Sequence, residues 1–197
     1  MNDFWTYFNS GLHHILNLYA YEHILFLSAL AVPYESHSWK KLLILVSLFT
    51  LGHTLSMLLS VFNIVTVHTG IINILILIAI FIMALRNIVF SGKSTKKNTF
   101  PFLEILTSLI GILHGLGFSG YFNRILKVNP TDKLLPLFES ALGMLSGQII
   151  VVAIVLLMGF VVQTLFKFSK RDWTLTLSAF IVGILVPMIL QNDIWNK

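Results

Sequence analysis

The chain predicts an all-α fold: a polytopic membrane helical bundle of about six transmembrane helices, forming a single integral membrane domain over residues 1–197. Three observations predict it. Hydrophobic residues make up 56% of the chain and charged residues 11%, whereas a soluble domain is nearer half apolar and a quarter charged. Mean hydropathy is +0.87. The apolar residues fall into six runs, roughly 12–32, 42–62, 71–90, 100–120, 134–160 and 173–191, each near the ~20 residues that cross the hydrocarbon. None alternates as a barrel strand would.

Taken in order, the first run holds His14 and then Glu22-His23, two histidines and a carboxylate inside a membrane span. Ionisable residues at such depth are costly and mark a site or a water-filled path. His14 and His23 are nine residues apart, about 180° around an ideal helix, so on a straight helix they face opposite ways. Two arrangements resolve this. The helix breaks near Asn17, or the segment around His14 lies along the interface, as Phe4, Trp5, Tyr7, Phe8, Leu12 and Ile15 allow. Tyr19, Glu22, His23 and Phe26 share one face.

The second run carries Thr50, His53, Thr54 and Met57 on one face. The third covers 71–90. After it, Ser91–Thr99 is a polar break and the expected flexible loop; its Gly92-Lys93-Ser94 lacks the preceding glycine and strand of a phosphate-binding loop. The fourth run contains His114 with Gly111, Gly115 and Gly117, and the fifth contains Ser140, Gly143 and Gly147 ahead of Gln148. Small residues at these intervals let helix backbones approach closely, which fixes where His114 and Gln148 point. Phenylalanine and leucine runs face lipid or core.

Connector charge sets the orientation. Lys40, Lys41, Arg86, Lys93, Lys96, Lys97, Lys167, Lys170 and Arg171 fall on one side, nine bases against the four of Arg124, Lys127, Lys133 and Lys197. The positive-inside rule puts the nine in the cytoplasm and both termini outside. The formal charge of +5 does not indicate nucleic acid, because the bases sit in short connectors and form no phosphate-binding face. Met1-Asn2-Asp3-Phe4-Trp5 has no basic region or cleavage site, so the first span is expected to remain. Glu104 and Glu139 are expected on solvated span ends. Asp3, Glu35, Asp132, Asp172 and Asp193 are expected at the surface. His13, His37 and His68 are interfacial or in connectors and are assigned no role.

With this topology Glu22 and His23 lie about 15–17 Å below the outer surface, His53 is similarly central, and His114 is roughly 9 Å deep. The chain has no cysteine, which removes thiolate ligands, thiol nucleophiles and disulfides. Histidine and carboxylate without cysteine suit a divalent metal. The expected metal residues are His14, Glu22, His23, His53 and His114; the rings of His23, His53 and His114 are expected to converge on one polar cavity open to the outer leaflet, with Glu22 either a ligand or a hydrogen-bond partner of a ligating ring, and His14 joining them only if the first segment bends. The bland alternative is that each histidine finds its own partner, such as Thr50 or a carbonyl.

Gly11-Leu12-His13-His14-Ile15-Leu16, followed by Tyr21-Glu22-His23-Ile24-Leu25-Phe26, Phe49-Thr50-Leu51-Gly52-His53-Thr54 and Leu113-His114-Gly115-Leu116-Gly117-Phe118, resembles the HupE/UreJ family of bacterial membrane proteins, in its short, Bacteroidetes-like form. The resemblance covers nearly the whole chain. It implies a nickel permease, or an accessory protein linked to hydrogenase and urease metallation, with His14, Glu22, His23, His53 and His114 important. Two departures stand out. Glu22 replaces the aspartate usual in the family, and Leu145-Ser146-Gly147-Gln148 stands where the family has Glu-x-Gly-Gln, which removes one acidic ligand or proton carrier and weakens the case for nickel.

The resulting expectation is a multi-pass protein of the bacterial inner membrane that moves a divalent transition-metal ion (Ni, Co or Zn, nickel first). Overlapping ligand preferences leave the metal open. The bilayer and the ion are the expected partners, and a homo-oligomer is left open. A rival reading is an intramembrane metal-dependent hydrolase, with histidines holding the metal and Glu22 as general base on bound water. A third is an accessory protein without turnover.

Overall fold

The computed structural model describes residues 3–19, 21–65, 69–92, 102–125 and 133–196. Seven α-helices are found among them: α1 (Asp3–Leu16), α2 (Glu22–Ala31), α3 (Trp39–Val61), α4 (Thr69–Phe90), α5 (Phe102–Ile125), α6 (Leu134–Leu165) and α7 (Lys170–Leu190), with short 3-10 turns at Ser36–Ser38 and Asp193–Asn196. Most of the polar break after Ser91, and with it Lys93-Ser94, lies outside the described residues, as do His68, Lys127 and Asp132.

Four stretches, Trp39–Val61, Gly70–Phe90, Leu134–Leu165 and Lys170–Trp195, are each long and apolar enough to cross a membrane. The apolar part of α5, Leu103–Phe118, and α2 are shorter. The predicted first span, 12–32, is two helices. Its 14 and 10 residues rise about 21 and 15 Å, together enough for one crossing. The arrangement is thus consistent with about six crossings. Large apolar side chains such as Ile44, Leu51, Ile82, Ile154, Leu157 and Phe180 are exposed around it, the surface a bilayer would cover.

The break falls at Asn17, one of the two arrangements the sequence allows. Asn17 Oδ1 accepts a 2.9 Å hydrogen bond from the Tyr19 backbone N–H, a local turn that competes with helix. The interfacial arrangement is not adopted. Trp5 is exposed, but Tyr7, Gly11 and Ile15 are buried along α6.

Glycines set the packing. A Cβ on Gly143 would strike the Phe8 carbonyl, one on Gly11 the Ser140 carbonyl, and one on Gly147 would stand 2.9 Å from Ile15 Cβ. Contact positions on α1 and α6 rise together, so the two helices run parallel. The same holds for α3 and α5, where Gly111 lies on the Phe49 carbonyl, Gly115 on the His53 carbonyl and Gly52 on Ser108. Parallel pairing of first with fifth and second with fourth crossings is what an alternating six-crossing chain requires. α4 packs chiefly on α7. Asn87 Nδ2 donates to the Ala29 carbonyl at 2.6 Å and ties α4 to α2.

One surface expectation is corrected and another is met. Glu139 is buried at 7% exposure, because it lies on the part of α6 that faces the bundle beside Ser140 rather than at a solvated end. Asp172 does lie at the surface, and there it completes a capping box with Ser169 that starts α7.

Candidate metal centre

Four helices deliver four imidazoles to one place. His14 ends α1, His23 begins α2, His53 lies mid-α3 and His114 lies on α5. Ring centroids are 4.4 Å apart for His14–His23, 4.5 Å for His23–His114, 5.6 Å for His14–His53 and 5.8 Å for His23–His53. The break at Asn17 makes this arrangement accessible. It reverses the facing of the two histidines, which would diverge on a continuous helix. Gly115 and Gly52 bring α5 against α3, the helix that carries His53, and on α5 His114 meets His23.

These spacings carry a chemical meaning. A ring nitrogen bonds a first-row metal at about 2.1 Å, which puts each centroid about 3.2 Å from the ion, so rings around a shared ion stand about 4.5 Å apart at right angles and about 5.2 Å apart at tetrahedral angles. The observed range spans both values. Among the described residues, however, no three His, Asp or Glu side chains are already oriented to hold an ion. His14–His23 and His23–His114 stand at ligand spacing, whereas His53 lies 5.6 and 5.8 Å from His14 and His23, so the rings would have to turn and draw together to share one ion.

Hydrogen bonding shows how the rings are held. His114 Nδ1 lies 2.9 Å from the Ile110 carbonyl and donates to it, which leaves Nε2 as the lone-pair nitrogen. Six other ring nitrogens, His14 Nε2, both of His23, both of His53 and His114 Nε2, are buried without a hydrogen-bond partner among the described residues. Each such group costs about 1–3 kcal/mol. Among the described residues the separate partner of the bland alternative is seen for His114, and Thr50 bonds elsewhere.

Around the cluster stand aromatic rings. Phe118 stacks on His14 with centroids 3.5 Å apart. Phe49 and Phe26 stack on each other at 4.7 Å, one turn along α3 and α2 from His53 and His23, and both are fully buried. Phe49 also meets His114 at 5.2 Å and His53 at 5.9 Å. By the predicted orientation these two rings form a floor on the cytoplasmic side. The sequence put Phe26 on the face of Glu22 and His23, and gave neither ring a role beyond lipid-facing or core.

On the other side a cavity of about 1260 Å³ reaches the histidines, lined by His14, His23 and His114 among others. Glu22, the first residue of α2, lines it half-buried, where the helix N-terminus favours a carboxylate. His13, assigned no role from sequence, lines it too, as does Asp193. His53 is not part of its lining and is fully buried. The five residues expected at the site thus divide: four rings meet, and Glu22 stands on the cavity wall.

A family model described as HupE / UreJ protein matches residues 1–192, essentially the whole chain. No curated protein and no solved structure matches it.

Proposed function

Since this chain belongs to the HupE/UreJ family, whose members are associated with nickel and cobalt transport, we propose that it moves a divalent transition-metal ion, nickel first, through the histidine cluster. The observation that carries the reading is the cluster itself: four imidazoles from four helices, linked by ring spacings of 4.4–5.8 Å, with six buried ring nitrogens lacking partners among the described residues. An ion would supply what those nitrogens lack, and imidazole suits Ni²⁺, Co²⁺ and Zn²⁺ alike.

In this reading both termini are periplasmic and the ion enters by the large cavity. Glu22 and His13 on its wall attract the cation and exchange its water. His14, His23 and His114 take it over, and His53 completes its coordination at depth. The Phe26–Phe49 floor holds the path shut toward the cytoplasm until the helices shift. The family association favours transport over the hydrolase reading.

The test is elemental analysis of purified protein followed by ⁶³Ni²⁺ uptake into proteoliposomes, with Glu22→Gln beside the parent. Substoichiometric metal and saturable uptake, both lowered in the variant, are expected. No bound metal and no uptake by the parent would refute the proposal. Equal metal content in variant and parent would remove Glu22 from the site.

A further inference from the structure

Gln148 is one of several buried side chains with a polar atom that lacks a partner among the described residues. Gln148 on α6 is fully buried, and its Nε2 has no partner. Its neighbour Gly147 rests on Ile15, the residue after His14. Its side-chain oxygen lies 2.8 Å from the Thr50 hydroxyl, and Thr50 is one turn from His53 on the same face of α3. Gln148 therefore sits at the junction of α1, α3 and α6, next to the level where His14 meets His53.

The Thr50 hydroxyl also lies 2.9 Å from the Val46 carbonyl. One hydroxyl carries one proton and cannot donate fully to both oxygens. The two ends of a primary amide have nearly the same shape, and the hydrogen-bond pattern decides between them. Turning the amide over satisfies more bonds: Nε2 donates to Thr50 Oγ1, whose proton goes to Val46. Oε1 then takes the place of the unpartnered nitrogen. What remains free is a buried carbonyl oxygen, an acceptor with nothing in the protein to accept from.

We propose that Gln148 is a fifth donor of the metal centre, its amide held through Nε2 by Thr50 and its oxygen directed at the ion or at a water bound to it, and that it sets which metal is preferred. This rests on the transport reading above. Four imidazoles alone match the tetrahedral habit of Zn²⁺. Adding an oxygen raises the donor number to five and shifts the set toward the tetragonal nitrogen-and-oxygen environment that suits Ni²⁺. Thr50 is a positioning residue, since it acts by orienting the amide.

The experiment is competitive binding of Ni²⁺ and Zn²⁺ to purified parent, Gln148→Leu, Gln148→Met and Thr50→Val, after size exclusion has selected folded protein. Loss of the oxygen should weaken Ni²⁺ by about 10- to 100-fold and leave Zn²⁺ little changed, so that the Ni/Zn ratio falls. Thr50→Val should move the ratio the same way by less. Gln148→Met serves where Gln148→Leu does not fold, and Thr50→Val reads the same ratio independently of both. An unchanged ratio in variants of a parent that binds metal would overturn the role of Gln148 and leave the transport reading intact. A parallel loss of both metals would do the same, since that is the mark of general misfolding. A parent that binds neither metal would overturn both.

Discussion

His53→Leu should make the metal-free protein more stable, although His53 is fully buried and in contact with Phe49. Both its ring nitrogens lack partners, and each desolvated group costs about 1–3 kcal/mol. Leucine removes both penalties. It forfeits the edge-to-face contact with Phe49, worth about 0.5–1.5 kcal/mol, and some volume. The net gain is about 1–2 kcal/mol, or roughly 2–8 °C in Tm for a chain of this length. The metal response should invert. A ligand at 100 times its Kd stabilises the parent by about 2.7 kcal/mol, and the variant should respond far less. Thermal unfolding in detergent, with chelator and with added Ni²⁺, reads both effects. A variant less stable than the parent in chelator would show that His53 makes native hydrogen bonds of its own, and that the site is not built around a missing cation.

Three further outcomes are expected. Gly143→Ala and Gly115→Ala each drive a Cβ into a backbone carbonyl and should cost about 1–3 kcal/mol or more, whereas Gly183→Ala, with nothing within 4 Å, should be tolerated; equal losses in membrane yield at all three positions would refute the close-packing argument. Tags at both termini should be accessible from the periplasm and a tag after Lys96 only from the cytoplasm, and a cytoplasmic N-terminus in a labelling assay would reverse the orientation. The Lys170 hydrogen bond and charge hold the Glu35 carboxyl below its ordinary range across a 3.0 Å ion pair, so this link contributes at pH above the ordinary carboxylate value and fades as pH falls through the lowered one; hydrogen exchange in the first turn of α7 should rise there in the parent, and a parent profile matching Glu35→Gln would exclude the link.

Much of the site was legible because a histidine in an apolar run has few reasons to be there. His14, His23, His53 and His114 stood out by burial cost alone, and the structure brings all four together. The sequence also posed the right question at Asn17. It could not answer it, since helix break and interfacial helix share one local pattern and only the fit of Gly11 and Ile15 against α6 decides. Gly11 and Gly52 were invisible as packing residues, each being a lone glycine whose partner is remote in sequence. Glu139 misled because position near a helix end suggests solvent, while the direction it faces depends on the neighbour. Phe26 shares the His23 face by spacing and Phe49 lies one turn from His53, but that the two rings stack on each other across α2 and α3 is set by the fold alone.

The glycine contacts have a mechanical corollary. Backbones in such direct contact leave no slack within a pair, so α1 with α6 and α3 with α5 behave as two stiff struts, and any change of shape falls between them. His53 and His114 ride on one strut and His14 on the other. The His53-to-His114 spacing is then fixed, whereas the 5.6 Å between His14 and His53 is a gauge of how far the struts have swung apart. An ion that prefers one setting of that gauge would clasp the struts at that angle, so that coordination preference is converted into a leaning of whole helices.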